Sequence, residues 1–207
     1  MSEFLAYLQL GFDHITDSKG YDHILFIIAL CTIFTLIDYK KVAILVTAFT
    51  LGHSITLGLS TLNIVRFDPA LIELLIPITI LITAFTNFFY KPEKFSFRTK
   101  PKKNTTRYVM ALVFGLIHGM GFSNYLHALL GHEVDIMIPL LGFNLGLEIG
   151  QLLIVSVFLL IGFLGIEILR IPKTTWNLIL SGVIAGMALS LIIENEYLMN
   201  LTLFAAP

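Results

Sequence analysis

The sequence predicts an all-α, polytopic transmembrane helix bundle of six spans, with a short N-terminal interfacial helix and both termini outside. Three observations carry this reading. Of 207 residues, 57% are hydrophobic and only 13% charged, whereas a soluble chain carries about a quarter charged residues. The apolar residues fall into six runs, and since a spanning helix takes about 20 residues, six use roughly 120 positions and leave only loops and ends. Residues 1–207 therefore read as a single membrane domain. Eleven of the 13 Lys and Arg follow the first, third and fifth runs, an asymmetry that sets orientation.

The opening stretch MSEFLAYLQLGFDHI carries Glu3 and Asp13 with no basic region ahead of an apolar core, so it reads as a helix at the interface and not as a cleavable signal. The six runs are Asp22 to Ile37, Ala43 to Leu62, Pro69 to Tyr90, Tyr108 to Leu130, Ile136 to Leu169 and Trp176 to Ile193. The fifth is too long for one straight span, and is tilted, broken near Pro139 or extended beyond the bilayer. Lys40 and Lys41, then Lys91, Lys94, Arg98, Lys100, Lys102, Lys103 and Arg107, then Arg170 and Lys173 place three loops in the cytoplasm. Acids and histidines such as Asp68, His132, Glu133 and Glu194 fall outside. With a net charge of −1, nucleic acid is not an expected partner, and the basic segment before Arg107 reads as a topology signal. The lone Cys31 excludes an internal disulfide and a thiolate metal site, leaving nitrogen and oxygen as metal donors.

Ionisable side chains inside a bilayer are costly, which makes each a candidate functional residue. His53, His118 and Glu148 each lie about ten residues into their spans, roughly 15 Å deep at 1.5 Å per residue. Asp22 and His23 open the first span as an upper tier, with His14 able to fold back on them. Asn144, Glu148 and Gln151 form one helical stripe, and Thr47, Thr50 and Ser54 accompany His53 in the second span. Small residues every four positions, Gly115, Gly119 and Ser123, Gly142, Gly146 and Gly150, and Gly182, Gly186 and Ser190, predict close helix packing. FTLGHS at Phe49 to Ser54 and FGLIHG at Phe114 to Gly119 share Phe, Leu and His at the same offsets, a weak internal echo. Imidazoles with carboxylates suit nickel, cobalt, zinc or copper(II).

In order along the chain, GFDHI with YDHILFIIAL, TAFTLGHSITLGLS, VFGLIHGMGFS and FNLGLEIGQ resemble the successive motifs of the HupE/UreJ family, in particular its six-span branch. The resemblance covers about Gly11 to Gln151 and touches four of the six spans. It implies an accessory membrane protein of hydrogenase or urease systems, acting as a nickel or cobalt permease in the cytoplasmic (inner) membrane of a bacterium. Residue by residue, the first-span motif maps to His14, Asp22 and His23, and the fourth-span motif to His118 and Gly119. The gap from His14 to Asp22, Ile15 to Tyr21, is longer than in related permeases, which sets His14 at a different angle.

Three functions compete. In a permease, Asp22 and His23 capture the ion and pass it to His53, His118 and Glu148, with Asn144, Gln151 and Ser54 as orienting neighbours. The absence of a GxxxxGK[ST] loop then requires a gradient, the membrane potential or a separate partner as energy source. In an intramembrane zinc hydrolase, the same cluster holds a metal with one open position, Glu148 or Asp22 serves as base, and Ser54 orients the substrate. In an assembly subunit, the buried polar groups join helices or bind a partner membrane protein or a second copy. The expected associates are the lipid bilayer and a divalent transition metal, bound transiently or as a site metal.

Overall fold

The computed structural model describes residues 2–17, 20–65, 67–90, 105–130 and 136–199. Among them are seven α-helices: α1 (Glu3–Thr16), α2 (Tyr21–Cys31), α3 (Tyr39–Thr61), α4 (Pro69–Phe88), α5 (Thr105–Leu130), α6 (Met137–Phe163) and α7 (Lys173–Ile193). No strand occurs among the described residues. Among the described residues, four helical stretches are long and apolar enough to cross a membrane: Leu36–Thr61, Pro69–Phe88, Met137–Ile168 and Lys173–Ile193. Large apolar side chains stand exposed on their outer faces, among them Ile44 and Leu51 of α3, Leu145 and Ile149 of α6, and Val183 of α7. Such a belt is solvated by hydrocarbon, and the protein is an integral membrane protein. The basic segment 91–104 and His132, Glu133 and Asp135 lie outside the described residues.

Helix boundaries follow local chemistry. Asp68 caps α4 by accepting from the Ala70 N–H at 3.0 Å, with Pro69 in the first helical position. Thr35 and Asp38 form a reciprocal cap that turns the chain into α3. Pro139 sits in the first turn of α6, where its missing N–H costs nothing, so the long fifth run is not broken there. It continues to Phe163 and ends in a π-helical turn, Leu164–Ile168, packed on Trp176.

Glycines let two helix pairs touch backbone to backbone. A methyl group on Gly146 would strike the Leu8 carbonyl, and one on Gly11 the Phe143 carbonyl; Gly52 and Gly115 stand in the same reciprocal relation to Leu112 and Phe49. The order of contacts gives direction. Gly142, Gly146 and Gly150 meet Phe4, Leu8 and Ile15 in ascending order, so α1 runs parallel to α6; Phe49 to Gly115 and His53 to Gly119 make α3 and α5 parallel.

The first run departs from expectation. In place of a span from Asp22 to Ile37, the helix is the 11-residue α2, about 16 Å long against a hydrocarbon core of about 30 Å. In place of an interfacial helix, α1 lies along the first half of α6 with Gly11 and Ile15 buried. The C-terminal end of α2 is held at the far end of the bundle. There Asn87 Nδ2 donates to the Ala29 carbonyl at 2.7 Å and to Thr32 Oγ1 at 2.9 Å, Arg107 donates to Asn87 Oδ1 at 3.0 Å, and Asn177 donates to the Asn87 carbonyl at 2.8 Å. α1 and α2 thus occupy successive halves of the bundle height, one helix interrupted between Thr16 and Tyr21. Hydropathy alone does not show this, because Asp13, His14, Asp17 and Asp22 dilute the apolar signal where the two halves meet.

Candidate metal centre

The interruption brings histidines from four helices together. His14 at the end of α1, His23 at the start of α2 and His53 in α3 each offer a ring nitrogen, and no two of these donor atoms are more than 4.8 Å apart. The His14 ring lies 4.7 Å from that of His23 and 6.3 Å from that of His53, centroid to centroid. His118 of α5 adjoins on the other side, its ring 5.2 Å from His23. His23 and His118 are buried, and His53 is wholly enclosed at 0% exposure.

Aromatic walls confine the cluster. Phe143 of α6 stacks on His53 at 6.1 Å with an 18° interplanar angle, Phe122 of α5 approaches His14 to 4.1 Å, and Phe26 and Phe49 flank His118. These rings give the cluster a largely apolar lining around its imidazole nitrogens.

Hydrogen bonding defines which nitrogens are available. His23 Nδ1 stands 3.0 Å from Asp22 Oδ1, and the carboxylate can only accept, so Nδ1 carries the proton and Nε2 presents its lone pair. Thr79 spends its hydroxyl proton on the Ile76 carbonyl at 2.7 Å, and therefore accepts from His118 Nε2 at 3.2 Å, leaving His118 Nδ1 unprotonated with its lone pair unpartnered among the described residues. His14 Nε2, His23 Nε2, both nitrogens of His53 and His118 Nδ1 are buried without a hydrogen-bond partner among the described residues. An orphaned buried polar atom costs about 1–3 kcal/mol. The donor atoms of His14, His23 and His53 lie close enough together to hold one ion, and a neutral-imidazole set with an adjacent carboxylate fits a borderline divalent transition metal.

The other residues singled out in the sequence stand apart. Glu148 accepts from Thr47 Oγ1 at 2.7 Å, in the seam between α3 and α6. It follows Phe143, which faces His53, by about 7.5 Å of helix. Gln151 accepts from Thr50 at 2.8 Å, Asn144 donates to its own helix at Leu140, and Ser54 donates to the Thr50 carbonyl at 2.7 Å. None of these three is bonded to a histidine of the cluster. The sequence reading does not single out Thr79; the signal for it is the stripe Thr79, Thr83 and Thr86 at helical spacing on α4.

A family model described as HupE / UreJ protein matches residues 1–199. The chain belongs to the HupE / UreJ family. No curated protein and no solved structure matches it. In this HupE / UreJ protein the Asp22–His23 pair has the form of a carboxylate orienting a metal-binding imidazole. Asp22→Asn retains shape but can turn its amide N–H toward His23 Nδ1 and release the tautomer. The expected result is a metal affinity lower by roughly 10–100-fold with helix content unchanged, measured by calorimetric titration beside circular dichroism. Unchanged affinity would remove Asp22 from the centre.

Proposed function

We propose that this HupE / UreJ protein is a permease for a divalent transition metal of the nickel or cobalt type in the cytoplasmic membrane. The carrying observation is the group of unpartnered imidazole nitrogens of His14, His23 and His53 where α1 gives way to α2, with the His118 ring 5.2 Å from that of His23. Secondary transporters place ion sites at such interruptions, near the bilayer midplane. The α1–α2 pair serves as the first of six crossings, followed by α3, α4, α5, α6 and α7. The basic loops face the cytoplasm and both termini face outside. The ion enters along α1, is held by His14, His23 and His53, and passes through His23 to His118. A permeation site binds loosely enough to release, which suits a site assembled from four separate helices.

A second reading is an intramembrane zinc hydrolase, favoured by one observation: three imidazoles are the ligand set of a catalytic zinc that keeps an open position. Asp22 is then the carboxylate nearest to serve as base, since Glu148 and Ser54 are engaged elsewhere. Elemental analysis of the purified protein separates the two. Permeation predicts little metal after chelator washing, with saturable nickel or cobalt influx into proteoliposomes that His23→Ala abolishes. Stoichiometric zinc that resists chelation, with no influx, would replace the permease by the hydrolase. Labelling of Ser96→Cys from the cytoplasmic side alone is expected, and outside labelling would invert the topology.

A further inference from the structure

Glu148 is a carboxylate in the middle of α6 that the histidine centre does not use. It is partly exposed on the outer face of the bundle, among the exposed side chains of Leu145, Ile149 and Leu152, with Leu51 of α3 nearby in sequence to its partner Thr47. In a bilayer that face meets hydrocarbon. The Thr47 hydroxyl, donating at 2.7 Å, is the hydrogen bond it receives across the seam. On the same stripe, Gln151 is wholly buried with its Nε2 unpartnered, and Asn144 Oδ1 is also unpartnered among the described residues. The seam therefore carries unused donor and acceptor capacity on both sides of the carboxylate.

An ionised carboxylate against lipid costs several kcal/mol unless a cation or several donors compensate it. The helices packed on α6 supply no cation to Glu148. α1 carries Glu3, Asp13 and His14; α2 carries Asp22 and His23, bonded to each other at 3.0 Å; the turn Leu164–Ile168 carries Glu167; α3 carries Lys40, Lys41 and His53, with Lys41 paired to Asp38 at 2.7 Å and Lys40 over the Tyr39 ring at 5.8 Å. A carboxylate in such a place is neutralised either by a cation or by a proton.

We propose that Glu148 is a proton-binding site that couples proton movement across the membrane to movement of the metal cargo. The proposal rests on the permease reading and supplies the energy source that a chain without a nucleotide-binding loop requires. In each cycle a Glu148 oxygen accepts one proton from one side of the membrane, forming a neutral O–H while the group faces lipid. It returns that proton to the other side, regenerating the carboxylate and making no bond to the metal.

The test reconstitutes the wild-type chain and Glu148→Gln into proteoliposomes with an internal pH dye and nickel as the probe. Wild type is expected to show a nickel-dependent proton flux. In Glu148→Gln that flux falls below about a tenth of wild type, while exchange of radioactive nickel at equal concentrations and nickel binding stay within about twofold. Proton flux retained by Glu148→Gln, or nickel transport without proton flux in wild type, overturns the coupling and leaves the permease standing. Loss of nickel binding in Glu148→Gln would return the residue to the metal site and also overturn it. Absence of nickel exchange in wild type defeats the permease reading itself, and the coupling with it. As a check independent of any variant, an apolar carbodiimide, which attacks protonated carboxyls in lipid, is expected to modify Glu148 in the wild-type protein. A peptide map without that adduct overturns the proposal.

Discussion

His53→Ala is expected to weaken nickel, cobalt and zinc binding by at least about 100-fold, because loss of an orienting neighbour alone costs roughly 10–100-fold and His53 is a donor in its own right. It is wholly buried, both of its nitrogens are unpartnered among the described residues, and Phe143 stacks against its ring. The same substitution removes two orphaned polar atoms from the apo protein, a gain of about 1–3 kcal/mol each, which offsets the cavity left behind. Thermal stability without metal should therefore change little. Metal-induced stabilisation, about 2.7 kcal/mol when an ion is present at 100 times its Kd, should fall to about 0.4 kcal/mol or less in the variant at the same ion concentration. Calorimetric titration and melting curves with and without nickel check both statements. A variant that binds like wild type would show that His14, His23 and His53 do not share an ion, and one that unfolds without metal would show that His53 is structural.

The second large effect is a contrast within one residue type. Gly146→Ala places a methyl group on the Leu8 carbonyl, which is backbone and has no rotamer to escape into. α1 must lift away from α6, at a cost of about 1–3 kcal/mol for a single added carbon in a tight contact. Because α1 carries His14, metal binding should weaken alongside stability. Gly182→Ala, on α7, meets nothing within 4 Å. There the same change restricts the unfolded chain and is expected to be neutral or stabilising by about 0.5–1 kcal/mol. Denaturation in mixed micelles, followed by helix signal, reads both. Equal effects at the two sites would show that α1 does not dock on α6.

Glycine spacing looked alike on three helices in the sequence, and the structure separates them. Gly115 and Gly119 are consumed by α3, Gly142, Gly146 and Gly150 by α1, and Gly182 and Gly186 by nothing within 4 Å. A spacing rule reports that a backbone is accessible, not whether another backbone occupies the place. The same limit holds for the polar stripe on α6. Its periodicity placed Asn144, Glu148 and Gln151 on one face, yet which neighbour each meets depends on the helix arrangement: Glu148 and Gln151 meet Thr47 and Thr50 of α3, while Asn144 bonds its own helix.

Composition, six apolar runs and the family motifs were legible from the residues alone, because the cost of exposing polar groups to lipid is local and additive along the chain. So were the identities of the histidines, since an imidazole inside an apolar run stands out wherever it packs. Only the tertiary structure decided that α1 and α2 divide one height between them. It also decided that His14 joins His23 and His53, and that Thr79 and Asp22 select the open nitrogens of His118 and His23. Those outcomes depend on which backbones approach at Gly11, Gly146, Gly52 and Gly115, and such contacts join residues distant in sequence. Local propensity carries no record of them.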